Sequence, residues 1–461
     1  MMGSVPKNGS PLPALMPQMR LQGAWPSFFE EICIKAIYLV ALIALYFALA
    51  KTYTEFLQPL YSYEHFKQNF VPTREVESLI ALGIAAAVMP TDFRRPSDLF
   101  MSLAIVITLV PTAMMYAYAD ISWETAVMTC AGLAVIFLAR EIPIGVPVWP
   151  LVGVSTIYFF TGLSLLGVAT AAYQMGFDSF SLDLLDVYGR RAIANSEVTG
   201  ISAYIVDLAL HSNLIATIVS FISRNWVALV VNVAASFLFF GLSGNKGTFY
   251  GTFVFIILSV IMRSRFCIVI IVSLFSAIFV CYYLFFMSIE NLTFASLFEQ
   301  RSLIVPVYLN DLYLNIFKDT KLYFSYSKIS LGLIDNPLQL DVANMVGYYW
   351  EGRATMHANT GFVGSGYMNA GLIGILIYAV VIGLCCRVID QCAQRRSSRN
   401  AAAIICLPGF LNAVTSTDLP TLLFSGGWTL AILLVAVADL SDDRCKASNV
   451  SSMSRMIRFR I

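Results

Sequence analysis

The sequence predicts an all-α, polytopic membrane protein. It reads as about twelve transmembrane helices with both termini in the cytoplasm and one large loop beyond the membrane between spans nine and ten. Composition is the first reason. Of 461 residues, 58% are hydrophobic and only 12% charged, and mean hydropathy is +0.75. A soluble domain carries about 25% charged residues, so this chain has too little polar surface to clothe a water-soluble core. A formal net charge of +1 provides no overall field for nucleic acid or a strongly acidic partner.

Periodic apolar runs are the second reason. A spanning helix needs about 17–25 residues, and such runs recur at 33–50, 77–91, 98–119, 121–139, 149–172, 199–221, 226–243, 248–262, 266–287, 367–386, 401–417 and 421–440. Pro111 and the 147–150 stretch fit kinked or starting helices, which neighbours in a bundle tolerate. The third reason is the placement of charge. Arg94 and Arg95, Arg140, Arg224, Arg263 and Arg265, and then Arg387, Arg395, Arg396 and Arg399 fall in alternate, short connections. Basic connections mark the cytoplasmic side.

The expected divisions are a cytoplasmic segment at 1–32, a transmembrane bundle at 33–440 and a basic cytoplasmic tail at 441–461 containing Arg444, Lys446, Arg455, Arg458 and Arg460. The start lacks a cleavable signal pattern, so the first apolar run serves as an uncleaved anchor. The nine cysteines fall in apolar runs or inner connections, which argues against a disulfide framework. No CxxC or Cys/His cluster suggests a metal site.

Three outer segments exceed a turn: 51–76, 173–198 and 288–366. The last alternates aromatic-rich apolar stretches with single charges. Loops of this length without structure of their own are uncommon, so it is expected to fold back onto the membrane surface.

Within it, QRSLIVPVYLNDLYLNIF at 300–317 is apolar all round if helical, a mark of burial. Arg301, Tyr308 and Leu312 then share a face, with Asp311 close to Tyr308. A buried guanidinium needs an anion. Either Asp311 or Glu299 supplies it, or the planar fork holds a phosphate. In DVYGRRAIANSE, 186–197, Arg190 and Arg191 stand among Asp178, Asp183, Asp186 and Glu197, and salt bridging is the plain reading for one of the two. Lys246 sits in SGNKGTF between two spans, either snorkelling to headgroups or approaching a ligand beside Gly244 and Gly247.

The stretch 348–374 collects Glu351, Arg353, His357 and Asn359 before a glycine-rich turn. His357 is one of three histidines and is either a proton acceptor or a turn cap. Gly361, Gly364, Gly366 and Gly371 fit close helix packing. Asp207 and His211 share a face of the sixth span, where mutual pairing is the plain reading and proton coupling the sharper one. Asp418 lies between the last two spans.

The ordered set RSLIVPVYLNDLYLNIF, HANTGFVGSGYMNAGLIGILIYAVVIGL, DVYGRR, the glycine-flanked Lys246 and TDLPTLLFSGG resembles the O-antigen or oligosaccharide repeat-unit polymerases of the Wzy type. The resemblance covers about residues 180–430 and is loosest in the first half, which matches only in hydropathy. It implies a C-type glycosyltransferase of the bacterial inner membrane, independent of metal and cofactor, with its active site facing the periplasm. Its substrates would be a lipid-linked oligosaccharide donor and acceptor, both carried on undecaprenyl pyrophosphate, and a chain-length regulator is an expected partner. Arg301 is then the principal pyrophosphate ligand, supported by Arg190, Arg191 and Lys246. His357 is the expected general base, with Glu351 and Asp311 as competitors. Tyr308, Asn359, Tyr367 and Arg353 would position sugar.

Two other readings remain. An O-antigen ligase has a similar span count and an arginine-bearing outer loop. A transporter or flippase would show paired halves and midplane sites on broken helices, and only Asp207 with His211 favours it.

Overall fold

Among the described residues helices overlie the apolar segments, the twelfth of them as two short helices, and most begin or bend where the backbone has a reason to. The computed structural model describes residues 28–146, 156–183, 187–289, 295–327, 330, 333–396 and 398–437. Most of the expected N-terminal segment and the whole basic tail lie outside these residues.

The first rod joins α1 (Phe28–Thr52), a π-helical stretch at Tyr53–Leu57 and α2 (Gln58–Leu60). α3 (Pro72–Val88) returns, starting on a proline whose missing N–H costs nothing at a first turn. α4 (Pro96–Ala104), a π-helical turn at Ile105–Leu109 and α5 (Val110–Tyr118) make one continuous rod. Next come α6 (Trp123–Ala139), α7 (Thr156–Met175), α8 (Val187–Glu197), α9 (Ile201–Ile222), α10 (Trp226–Ser243), α11 (Lys246–Ile261) and α12 (Cys267–Ile289). A third π-helical stretch, Ala295–Ile304, runs into α13 (Val305–Ile316), followed by α14 (Val342–Glu351), α15 (Phe362–Arg396), α16 (Arg399–Thr415), α17 (Leu419–Phe424) and α18 (Trp428–Val437). Among the described residues no strand occurs.

All three π stretches stop two residues before a proline: Pro59, Pro111 and Pro306. A helical proline donates no hydrogen bond and pushes its ring against the carbonyl four residues earlier, here that of Glu55, Ile107 or Ser302. Widening the ladder by one residue relieves that clash without breaking the rod.

Among the described residues seven helices are long and apolar enough to cross a bilayer, and α6, 249–261 and α18 are apolar but shorter. The bundle turns large apolar side chains outward, such as Val40, Ile84, Val127 and Val230, as a hydrocarbon solvent permits. Its interior holds together through small residues and polar bridges. A Cβ on Gly167 would fall 2.0 Å from that of Ala209, so α7 and α9 approach as only glycine allows. Beside this crossing, Asn213 Nδ2 donates to Ser236 Oγ at 2.6 Å, and Asn232 Nδ2 to Thr161 Oγ1 at 2.9 Å.

The basic connections gather at one end of the bundle. Arg140 Nη1 reaches Asp98 Oδ1 at 3.2 Å, and Asp390 accepts from Ser97 N and Oγ at 2.9 and 2.6 Å, tying α4, α6 and α15. Arg265 pairs with Glu30 at 2.6 Å, and Arg395 Nη1 donates to Val146 O at 2.6 Å. The long segments 51–76 and 288–366 meet at the opposite end, where Trp350 Nε1 donates to Glu64 O at 2.8 Å. The loop, expected to lie back on the membrane surface, packs into the bundle itself: its π stretch lies against both other π stretches, and α13 buries Val307, Leu309 and Leu314 in the main core.

Arg140 and Asp98 are each 3% exposed. Arg140→Ala should therefore lower unfolding free energy by about 1–3 kcal/mol, because Asp98 loses a buried charged partner but keeps Arg95 at 3.7 Å and two backbone N–H donors. Lys51→Ala, which breaks an exposed pair with Glu55, should cost under about 1 kcal/mol. Unfolding by SDS titration in mixed micelles measures both.

Candidate functional site

Arg301 ends the π stretch facing a residue that sequence reasoning did not single out. Glu64 closes a 3-10 turn at Ser62–Glu64, which His65 terminates in the left-handed region at φ 64°. Its carboxylate is 1% exposed, takes a hydrogen bond from Gln300 Nε2 at 2.9 Å and lies 3.7 Å from Arg301 Nη2. Arg301 keeps 37% of its side chain exposed, so part of the guanidinium remains open. Burial pushes the Glu64 carboxyl above its ordinary range, while Arg301, Gln300 and then Arg353 pull it back. Arg353 itself pairs with Glu351.

The acids the sequence offered to Arg301, as the alternative to a phosphate, were Asp311 and Glu299. The π ladder changes the helical phase between residue 301 and α13, and neither acid pairs with it. Asp311 Oδ1 instead accepts from Ser122 N, Ser122 Oγ and Thr125 Oγ1 at 2.9, 2.6 and 2.7 Å, and Oδ2 from Asn315 Nδ2 at 3.0 Å. It anchors the start of α6. Glu299 is fully buried and neither carboxylate oxygen has a hydrogen-bond partner among the described residues. Burial raises its carboxyl from the ordinary 4.5 to about 8, partly offset by Thr52.

Tyr308 stands edge-on to Phe66 at 5.4 Å and tilted to Trp350 at 5.7 Å. Burial first, and then the Asp311 charge, lift its phenol to about 12, so it remains a neutral hydrogen-bonding group. Tyr308, Asp311, Asn315, His65 and Lys67 line a cleft of about 470 Å³ beside Glu64. Arg301, Glu351, Arg353, Tyr308 and Asp311 are thus gathered in one neighbourhood. His357 and Asn359 are exposed on the strand-like run before α15, and the ring of His357 makes no hydrogen bond to a described residue. That run is pinned by Ala358, whose N donates to Ala343 O at 3.0 Å and whose carbonyl accepts from Tyr313 Oη at 2.8 Å.

The second basic group lies apart from the first. Arg190 is 1% exposed and turned inward, donating to the carbonyls of Ser181, Asp183, Phe240 (3.0 Å) and Gly241 (3.2 Å). Its partners among the described residues are carbonyl oxygens, and its Nε has no hydrogen-bond partner among them. Arg191 Nε donates to Gly244 O at 3.2 Å and so steadies the turn that leads to Lys246, the first residue of α11. The first turn of α11 then meets the π stretch, with Tyr250 and Phe298 at 6.1 Å.

The glycine-rich turn is an interlock. α15 breaks at Ala370 and Gly371 (φ 61°), and a Cβ on Gly374 would fall 2.0 Å from the Gly366 carbonyl oxygen. Leu322 N and Tyr323 N donate to Met368 O and Asn369 O at 2.8 and 3.1 Å, clipping the far arm of the loop to this break. Lys321 Nζ lies 3.8 Å above the Tyr367 ring. Asp418 accepts from Tyr326 and Tyr378 at 2.7 and 2.8 Å, and burial pushes its carboxyl upward.

A second cleft of about 480 Å³ is lined by Asp207, His211, Asn245, Asn412, Thr417 and Thr421, among others. His211 Nδ1 faces the backbone carbonyl of Asp207 at 2.9 Å and not its carboxylate.

Comparison with known proteins returns no match: no family model, curated protein or solved structure aligns with the chain.

The Glu299 carboxyl sets a pH dependence. Between 4.5 and about 8 the folded chain holds a proton there that an unfolded chain releases. The folded state therefore binds more protons in this window, and this contribution to stability is lost as pH rises through it. Glu299→Gln should flatten that part of the curve. Melting temperatures of both proteins in detergent at pH 5 and pH 8 measure it, and parallel curves would refute the assignment.

Proposed function

We propose that the chain is a bacterial inner-membrane glycosyltransferase that polymerises oligosaccharide repeat units carried on undecaprenyl pyrophosphate. In this reading twelve helices cross the membrane. The end bearing Arg94, Arg140, Arg265 and Arg395 faces the cytoplasm, and the Arg301 end faces the periplasm. The observation that carries the proposal is the state of Arg301: one edge is held 3.7 Å from a buried carboxylate while the side chain stays 37% exposed. A guanidinium fixed in this way is pre-oriented for a second anion, and its planar fork suits a phosphate.

The chemistry asks for such a group. An acceptor hydroxyl attacks the anomeric carbon of the growing chain, and the bond to the pyrophosphate oxygen breaks with its electron pair going to the leaving group. Negative charge grows there in the transition state, and a cation already in place stabilises it without reorganisation. Arg353 adds field at the same neighbourhood. Arg191, through the Gly244 turn, steadies the backbone before Lys246. Tyr308, half-buried in the wall of the cleft, offers an aromatic face to a sugar.

Removal of one such donor costs about 10²–10³ in kcat, so Arg301→Ala should abolish long polymer. The measurement is lipopolysaccharide banding in a deletion strain complemented with the variant. Single-repeat lipopolysaccharide is the expected pattern. Bare core would reassign the chain as a ligase, and an unchanged ladder would remove Arg301 from the reaction.

A further inference from the structure

The buried polar atoms along the loop's π stretch, Ala295–Ile304, are of one kind. Glu299 and Gln300 are both fully buried. Neither oxygen of the Glu299 carboxylate, nor Gln300 Oε1, has a hydrogen-bond partner among the described residues. Glu299 forms no ion pair with a described residue either, since Arg301, two positions on, is turned to Glu64. Thr52, at the end of α1, stands beside the carboxyl and counters part of the effect of its burial. Its hydroxyl is buried as well.

Carboxylate and amide carbonyl oxygens only accept hydrogen bonds. Three such atoms in a dry contact call for positive charge, and the one hydroxyl proton of Thr52 cannot answer all of them. Gln300 does not relieve its neighbour, because its amide nitrogen donates to Glu64 Oε2 at 2.9 Å. Acceptors buried without a donor are costly, and native folds leave few of them. A set made only of oxygens is what a hard cation binds.

The charge of the set selects among hard cations. One carboxylate balances one positive charge, whereas a divalent ion would leave an excess buried. Among the described residues no three acids, histidines or cysteines gather to hold a metal ion. The backbone fits a binding role too. Widened π-helical turns recur at functional sites, and here one such stretch packs on two others.

We propose that Glu299, Thr52 and Gln300 bind a monovalent alkali cation where the π stretch of the long loop meets the first rod. The carboxylate, the hydroxyl and the amide carbonyl supply its oxygens. The ion ties the loop to α1, so its binding is coupled to the docking of the loop. The same Gln300 amide joins this site to the carboxylate that orients Arg301. None of this depends on the transferase reading, and the tests read binding and stability alone.

Thermal unfolding of the full chain in nanodiscs at pH 9, where the Glu299 carboxyl is ionised, is the first test. Chlorides of Na+, K+, Ca2+ and N-methylglucamine are compared at equal ionic strength. Na+ or K+ should raise the melting temperature by a few degrees over N-methylglucamine, increasingly with concentration, because the ion binds only the folded chain. Glu299→Gln keeps the shape, removes the charge and should abolish the difference. Thr52→Val should move the half-effect to higher salt. The second test is retention of radioactive Na+ or K+ by the unaltered chain, expected at one ion per chain, which requires no variant to fold. Equal melting in the alkali and N-methylglucamine salts overturns the site and leaves the oxygens to a proton or water. No retained alkali ion overturns it as well. A cation effect that survives in Glu299→Gln removes Glu299 from the ligands, and stabilisation by Ca2+ alone overturns the monovalent assignment.

Discussion

Three prolines constrain this structure more than any pair of charges. Each one denies its helix a hydrogen bond and crowds a carbonyl one turn earlier, and at Pro59, Pro111 and Pro306 the chain responds by widening into a π ladder. The widened stretch of the long loop then lies against the other two. This contact carries the loop into the bundle, seals Glu299 inside and turns Arg301 toward Glu64. The position of the main cation thus follows from backbone sterics in three segments far apart in sequence.

Electrostatics divides the molecule lengthwise. At one end, arginines are neutralised by close partners such as Asp98, Glu141 and Glu30, an arrangement suited to holding helices together. At the other, Arg301 has a single distant carboxylate, and its guanidinium is incompletely used. Between the ends, the bundle relies on hydroxyls and amides that satisfy one another, which is what a low-dielectric interior permits. A cation with capacity to spare, on the side opposite the basic connections, is what the proposed transfer would use.

Much of the fold was legible in the sequence because hydropathy and the placement of arginine are one-dimensional signals. The apolar helical segments and the clustering of the basic connections at one end followed from them, whereas the packing of the long loop into the bundle did not. Nor did the partners of individual side chains. For Arg301 the alternatives were an ion pair with Asp311 or Glu299, or a phosphate; the π ladder before Pro306 changes the helical phase, and its described ion-pair partner is Glu64. One of Arg190 and Arg191 was expected to meet an acid, and the described partners of both are carbonyls near the end of α10. Glu64 carried no signal beyond an acid among aromatics in YSYEHF, since its role is created by segments more than two hundred residues away. The proline pattern was visible in the sequence, but its consequence depends on which helices meet.

The clip at Leu322 and Tyr323 has a consequence of another kind. By pairing with Met368 and Asn369, it closes the arm of the loop on itself, and the arm's outer arc at 333–341 is largely exposed. Everything before the arc is held by α13, and everything after it by α14 and the glycine interlock. The arc is thus a seam between two independently anchored pieces. The chain could be cut there, or made as two separate polypeptides, and still be expected to assemble into the same bundle.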